Sequence, residues 1–272
     1  MSGFKLAVRQ VGFTNKAFWR NPASAFFTFA FPLMFLVIFT SLLGNSTTQF
    51  ATTSIKNSTY YVVAMAAFGV ISACYTNIAI SVSFQRDSGV LKRTKGTPLP
   101  SWAYLFGRVV HATFVGAILV VLTLSFGRAF YNAALPTGLP LVEFLVTFAV
   151  GALSLAALAL ALTAIIPNAD ASPAIVNASI LPLLFLSGIF IPLGDNAPAW
   201  IKVIGKVFPV KHFLDAMSHS FLGNLTVPES KQFPTTLVPA FHFSWWDLAI
   251  VAVWGLAGLV LAARFFSWEP RK

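Results

Sequence analysis

Six apolar runs, each long enough to cross a lipid hydrocarbon layer, set the terms on which this chain can fold. They lie at about 23–43, 60–83, 106–126, 141–166, 174–193 and 247–266, and a helix needs about 20 apolar residues to span. No water reaches the backbone in lipid, so each run must close its own hydrogen bonds as a helix or join a sealed barrel. The runs are continuously apolar rather than alternating, which selects helices. The predicted fold class is an all-α integral membrane protein with six transmembrane helices in a single domain, 1–272. Of the 272 residues, 57% are hydrophobic, 10% are charged and 28 are Phe, whereas a soluble domain is about 25% charged. The run from Ala23 to Leu43 exceeds the roughly 7–15 residues of a signal-peptide core, and no A-x-A site follows it, so it reads as a retained span.

The formal net charge of +10 has two readings: a nucleic-acid partner, or the positive-inside bias of a membrane protein. Position separates them. Lys5, Arg9, Lys16, Arg20, Arg86, Lys92, Arg93, Lys95, Arg108, Arg264, Arg271 and Lys272 collect on one side, twelve of the 18 Lys and Arg residues. Lys56, Arg128, Lys202, Lys206, Lys211 and Lys231 are spread thinly on the other. The prediction is a multi-pass protein of the cell membrane with both termini cytoplasmic and no nucleic-acid partner. Trp19, Trp102 and Trp268 fall at the inner boundary and Trp200, Trp245 and Trp246 at the outer one, as interfacial tryptophans do. The lone cysteine, Cys74, lies inside an apolar run and reads as a small core residue; an intrachain disulfide is impossible.

Between the spans, three segments carry structure. Residues 1–22 are too polar to cross, and Lys5, Arg9, Lys16 and Arg20 fall within an arc of about 60°. This predicts an interfacial amphipathic helix with its bases toward lipid phosphate. Residues 194–246 are too long for an idle connection. Trp200, Ile201, Ile204, Val207 and Phe208 have helical spacing, Pro209 breaks that helix, and a second follows over 213–221; the rest reads as irregular. Residues 84–105 carry "FQRDSGVLKRTKGTPLP" at 84–100. Asp87 or Ser88 can cap a helix there and Gly96 with Pro98 can end it. On that helix Val90, Leu91 and Thr94 share one face while Lys92, Arg93 and Lys95 share the other. Two uses fit such an element: a topogenic loop facing headgroups, or a helix that docks into a soluble partner.

The order "RDSGVLKRTKGTPLPSWAYLFGR" resembles the cytoplasmic motif of the type-2 permeases of ATP-binding-cassette (ABC) transporters. Downstream, "LFLSGIFIPLGDNAPAWIKVIGKVFPVKHFLDAM" is similar to that family's span exit and its two outer helices. Asp87 stands where the family often carries Glu, and His212 and Ser218 where it often carries Tyr and Arg. The resemblance implies a coupling helix that docks a cytoplasmic ABC ATPase through Arg86, Asp87, Val90, Leu91, Lys92, Arg93 and Thr94. It further implies a second permease subunit, identical or related, and a substrate pathway along the first, second and fifth spans. Pathway candidates are Phe35, Phe68, Ser72, Asn77, Asn177, Phe185 and Ser187.

Other chemistry is missing. No G-x-x-x-x-G-K-[ST] loop is present to cradle phosphates, so the chain is not expected to be an enzyme. It needs no cofactor of its own, and ATP and Mg are expected in the partner ATPase. His111, His212, His219 and His242 are scattered and form no evident metal site. Glu143, Asp170 and Asp247 lie near span ends, and the mid-membrane carboxylates of a proton-driven carrier are absent. Polar groups within spans pair across helices or line a pathway, and Pro182 and Pro192 would kink or end the fifth span. N-x-T triplets begin at Asn45, Asn57 and Asn224. The expected function is export of a lipid-like or amphipathic substrate (drug, glycolipid, polyketide or polysaccharide), with membrane lipid as a further partner. The alternatives are a proton-coupled carrier and a non-transporting membrane scaffold.

Overall fold

A helix that is apolar all round can be satisfied by lipid or by other helices, and one span here is enclosed almost wholly by its neighbours. The computed structural model describes residues 3–43, 46–50, 53–193, 197–224, 226–228, 237–239 and 242–269. The enclosed span is α3 (Asn57–Ile71), continued through a π-helical turn at Ser72–Thr76 into α4 (Asn77–Asp87). Nearly every side chain from Asn57 to Ile71 is buried. Around this column stand α2 (Pro22–Leu43), α6 (Ser101–Tyr131), α7 (Leu139–Leu162) and α8 (Ser172–Ser187). The last span, α11 (Trp245–Phe265), lies against α7.

The α7–α11 contact depends on missing side chains. A Cβ at Gly258 would stand 2.8 Å from the Leu158 amide nitrogen and 3.0 Å from the Ala157 carbonyl carbon. Backbones that close cannot tolerate a larger residue, and small-residue contacts of this kind are how helices associate in lipid without a hydrophobic drive.

Among the described residues, five helices are long and apolar enough to cross a membrane, and Ser172–Ser187 is a shorter apolar helix. The fold is that of an all-α multi-pass membrane protein, with two minor additions. Thr47–Phe50 pairs with Thr53–Lys56, and Thr226–Pro228 pairs with Leu237–Pro239, each as a short antiparallel ladder. The fifth predicted span, 174–193, stops early. Its helix has 16 residues, about 24 Å of rise, and ends where Gly188 turns into the left-handed region at φ 96°, a conformation glycine adopts without strain. The Tyr60 hydroxyl donates to the Gly188 carbonyl at 2.6 Å, and Tyr61 to that of Phe190 at 3.3 Å. Two tyrosines at the start of the column thus hold the chain after α8 in its bend, four residues before Pro192.

The connecting elements gather at two ends. At one are α1 (Gly3–Trp19), the short helix α5 (Val90–Lys95), the 163–171 turn and residues 266–269. Trp102 packs beside Gly3, and Trp268 meets Tyr104 edge-on at 5.6 Å. Lys5, Arg9, Lys16, Lys92, Arg93 and Lys95 are exposed here, making this the basic end. At the other end lie α9 (Ala199–Val207) and α10 (Pro209–Phe221). Pro209 opens α10 rather than merely ending α9, which suits a residue whose missing N–H is needed least in a first turn. Asn57 is buried and donates to the Ser46 hydroxyl, while Asn224 bonds the Thr137 backbone; Asn45 lies outside the described residues.

Candidate functional site

The segment 84–100 turns on two adjacent charges, and both point back into the bundle. Arg86 is 1% exposed. Its Nη1 donates to the Thr163 carbonyl at 2.8 Å and its Nη2 to that of Ile166 at 2.6 Å, with Pro167 at 3.4 Å. Asp87 accepts from the Ala169 amide at 2.8 Å. Together they fasten the end of α4 to the turn between α7 and α8. A guanidinium suits this role because its planar fork presents several donors at fixed angles.

That use of Asp87 corrects the predicted cap. Gly89, at φ 70°, occupies the position before α5, and no side chain caps that helix. Leu91 is fully buried in the chain's own core, so it and Arg86 offer no side chain to a partner. Val90 and Thr94 are half-buried, and Lys92 and Arg93 are exposed. The surface of α5 open to another protein is therefore basic, with the apolar face turned inward.

The pathway candidates divide into three groups. Phe35, Phe68 and Phe185 converge on Phe190, at ring-centroid distances of 5.5, 5.4 and 5.0 Å. Phe39 joins them, stacked on Tyr61 at 5.0 Å. Ser72 and Asn77 line a cleft of about 630 Å³ that also takes in Phe68. Ser187 is buried, donating to the Leu184 carbonyl at the end of α8, and Asn177 is exposed on the outer face of α8; neither lines the cleft. The second and fifth spans are joined directly by a 2.9 Å hydrogen bond between Tyr75 and Ser179.

The cleft lies between α2 and α4. One wall is the π-turn, in which the Asn77 amide reaches back five residues to the Ser72 carbonyl. Such bulges displace the side chains that follow them and recur at functional sites; here Ser72, Thr76 and Asn77 all face the cleft. The remaining walls come from α1, α2, α3, α4 and α6, and Phe68, which lines the cleft, also packs in the aromatic cluster around Phe190. Sequence reasoning missed Phe190, Arg108 and His111. The signal for the last two was their spacing: Tyr104, Arg108 and His111 recur at intervals that share one helix face.

Near the opposite end, His212 bridges α10 to α11, with Nδ1 2.5 Å from Asp247 and Nε2 2.9 Å from the Lys206 carbonyl. Ser244 also donates to Asp247. Lys211 pairs with Asp215 at 2.8 Å. Burial raises the Asp215 carboxyl above its ordinary pKa, and the Lys211 ammonium counters that. These groups tie the outer helices down, each already having its partner.

A buried column ringed by apolar helices, with a cleft beside it, suits a membrane protein, and the comparisons with known proteins give its family. The chain belongs to the ABC-2 type transporter family, whose model matches residues 11–222. It is similar to a probable multidrug ABC transporter permease, YbhR, of Escherichia coli strain K12, with 26% identity over 144 residues. The same-named protein of E. coli O157:H7 matches equally. Each match covers 53% of this chain and 38% of the relative, so the chain aligns with well under half the length of these relatives.

Proposed function

We propose that this chain is the membrane-spanning subunit of an ATP-driven exporter, working with a separate cytoplasmic ABC ATPase that binds ATP and Mg, and with a second permease subunit. The basic end is then cytoplasmic, as the Lys and Arg bias favours. The cleft is the resting, inward-opening part of a pathway for an amphipathic cargo, and the Phe190 cluster is its closed end. Multidrug transport is the property in the name of the E. coli relatives, and it fits a cleft walled by aromatic and small polar groups.

One observation carries the coupling half of this reading: the end of α4, from which α5 follows after two residues, is fastened to the 163–169 turn through Arg86 and Asp87. A push on α5 would be transmitted together to α4 and to the base of α8, the second and fifth spans. A ligand can drive such a change only through differential affinity for the two states, which ATP binding to a docked ATPase would provide. Docking falls to the exposed residues Lys92 and Arg93, with Val90 and Thr94 at the rim.

The test is affinity purification from native membranes followed by ATPase assay. A stoichiometric ATPase subunit should be retained, and R93E with K92E should reduce its retention and cargo-stimulated hydrolysis by roughly a hundredfold, the loss of two charge-assisted contacts at about tenfold each. Transport by the chain alone in proteoliposomes would favour the proton-coupled carrier instead. Wild-type retention and hydrolysis in the double variant would remove α5 as the docking element.

A further inference from the structure

We infer that the cleft beside the π-turn binds the anionic head of an amphiphile, a phosphate or carboxylate group, between Arg108 and His111. The inference deepens the proposed export function by naming the charge of the ligand, and rests on that reading only for calling such a ligand cargo.

Arg108 is 9% exposed and His111 is 7% exposed, yet both line the cleft. A cation desolvated to that degree needs an opposite charge or a full set of acceptors. Arg108 has neither: its hydrogen bond runs from Nε to the Tyr104 hydroxyl at 3.3 Å. Among the described residues no carboxylate forms an ion pair with it, and no Asp or Glu lines the cleft. The His111 Nδ1 is buried without a hydrogen-bond partner, and so is the Thr14 hydroxyl across the cleft on α1. Three polar groups from two helices thus face one space with their hydrogen-bonding capacity unspent.

The guanidinium is held in place rather than left to wander. Tyr104 accepts from Arg108 and donates to the Gln85 side-chain oxygen at 2.7 Å. The Arg108 guanidinium also sits 5.5 Å over the Tyr104 ring. Phe18 covers His111 edge-on at 5.4 Å. The fork is therefore preorganised, with its free nitrogens left for a bidentate oxyanion.

Depth and shape fit an amphiphile. Arg108 lies seven residues into α6, about 10 Å along it. The neighbouring Gly107 is where α1 crosses, so closely that a Cβ there would stand 2.6 Å from the Gln10 side chain. A helix with an exposed row of Lys and Arg, as α1 has, lies at headgroup level, and the Arg108 charge sits at the boundary between headgroups and chains. Phe27, Phe31, Phe68 and Phe84 supply an apolar wall for a tail. The volume, about 630 Å³, falls within the roughly 300–1,000 Å³ of small-molecule sites.

The test measures binding to the full chain in neutral maltoside micelles by native mass spectrometry, using dodecyl phosphate as probe and dodecyltrimethylammonium as its cationic counterpart. Dodecyl phosphate should bind at least about tenfold more tightly, R108Q should lose about tenfold, the value of one charge-assisted contact, and R108K should recover part of it. Ser72→Phe, which narrows the cleft without touching the charge, should also weaken binding, and it carries the test if R108Q does not fold. Equal binding of the two detergents, or wild-type affinity in R108Q or Ser72→Phe, would overturn the assignment, as would inorganic phosphate binding as tightly as dodecyl phosphate. In nanodiscs, displacement of the probe by phosphatidylglycerol but not phosphatidylcholine supports the site and marks a resident phospholipid as its source. Persistence of probe binding there supports the site and marks a cargo. The ATPase is absent from this assay, so a negative result leaves the coupling proposal standing, and a missing ATPase leaves the site standing.

Discussion

Arg86 illustrates how far from its sequence neighbours a side chain can find its contacts. Its position beside Asp87 in a charged loop suggested the rim of a docking surface. In the fold it is buried, neutralised by the carbonyl dipoles of Thr163 and Ile166. Those partners lie 77 and 80 positions away, and no local spacing reports them. Replacing Arg86 by Met should lower stability by about 3 kcal/mol, since charged hydrogen bonds are lost and carbonyls are left unpaired. Lys should recover only part of that, because a point charge cannot serve two carbonyls at fixed angles. Denaturant unfolding of the three proteins in micelles checks both statements; equal midpoints would show that the clamp contributes nothing. Leu91 carries the same lesson: helical spacing paired it correctly with Val90 and Thr94, but which way that face turned depended on the bundle.

At the scale of elements, the spans were the most legible feature. Apolar runs long enough to cross lipid became helices at nearly the expected bounds, because backbone hydrogen bonding in lipid leaves few alternatives. Exceptions occurred where a contact between distant segments decided the outcome. The end of α8 is set by Gly188 with Tyr60 and Tyr61, and the short hairpins at 47–56 and 226–239 by pairing that composition did not announce. The π-turn was equally invisible, since one inserted residue leaves hydropathy unchanged. The α7–α11 seam makes a prediction at this scale. Gly258→Val should force the helices apart and cost about 1–3 kcal/mol, the usual penalty of overpacking. Reduced thermal stability in micelles, with α11 residues more accessible to hydrogen exchange, is the expected result; wild-type stability would mean that the seam yields freely.

For the whole molecule, the proposed export function makes the cleft and the aromatic cluster one path, open toward the basic end and shut at the other. With Cys74 replaced by Ala, a reporter cysteine at Ser72 should react with a membrane-impermeant thiol reagent from the basic end only. Adding Phe190→Ala should make it reactive from both ends, since the ring on which Phe35, Phe68 and Phe185 converge is then gone. Labelling that stays one-sided in the double variant would place the closure elsewhere. Of the seven pathway candidates chosen from sequence, Phe35, Phe68 and Phe185 meet at the cluster, and Ser72 and Asn77 line the cleft. Asn177 is exposed on α8, and Ser187 is buried at the end of that helix.

Sequence alone determined the solvent this protein must live in, the helical nature of its spans and the asymmetry of its charge. Each of these follows from composition along a line, where hydropathy, helix length and Lys/Arg placement act locally. The tertiary structure decided which faces turn inward. It aimed Arg86 and Leu91 into the bundle, brought three distant phenylalanines to Phe190, and set Arg108 and His111 on one cleft that no carboxylate lines. Those outcomes depend on how helices far apart in sequence pack around one buried column, and that packing is set by contacts no stretch of chain contains by itself.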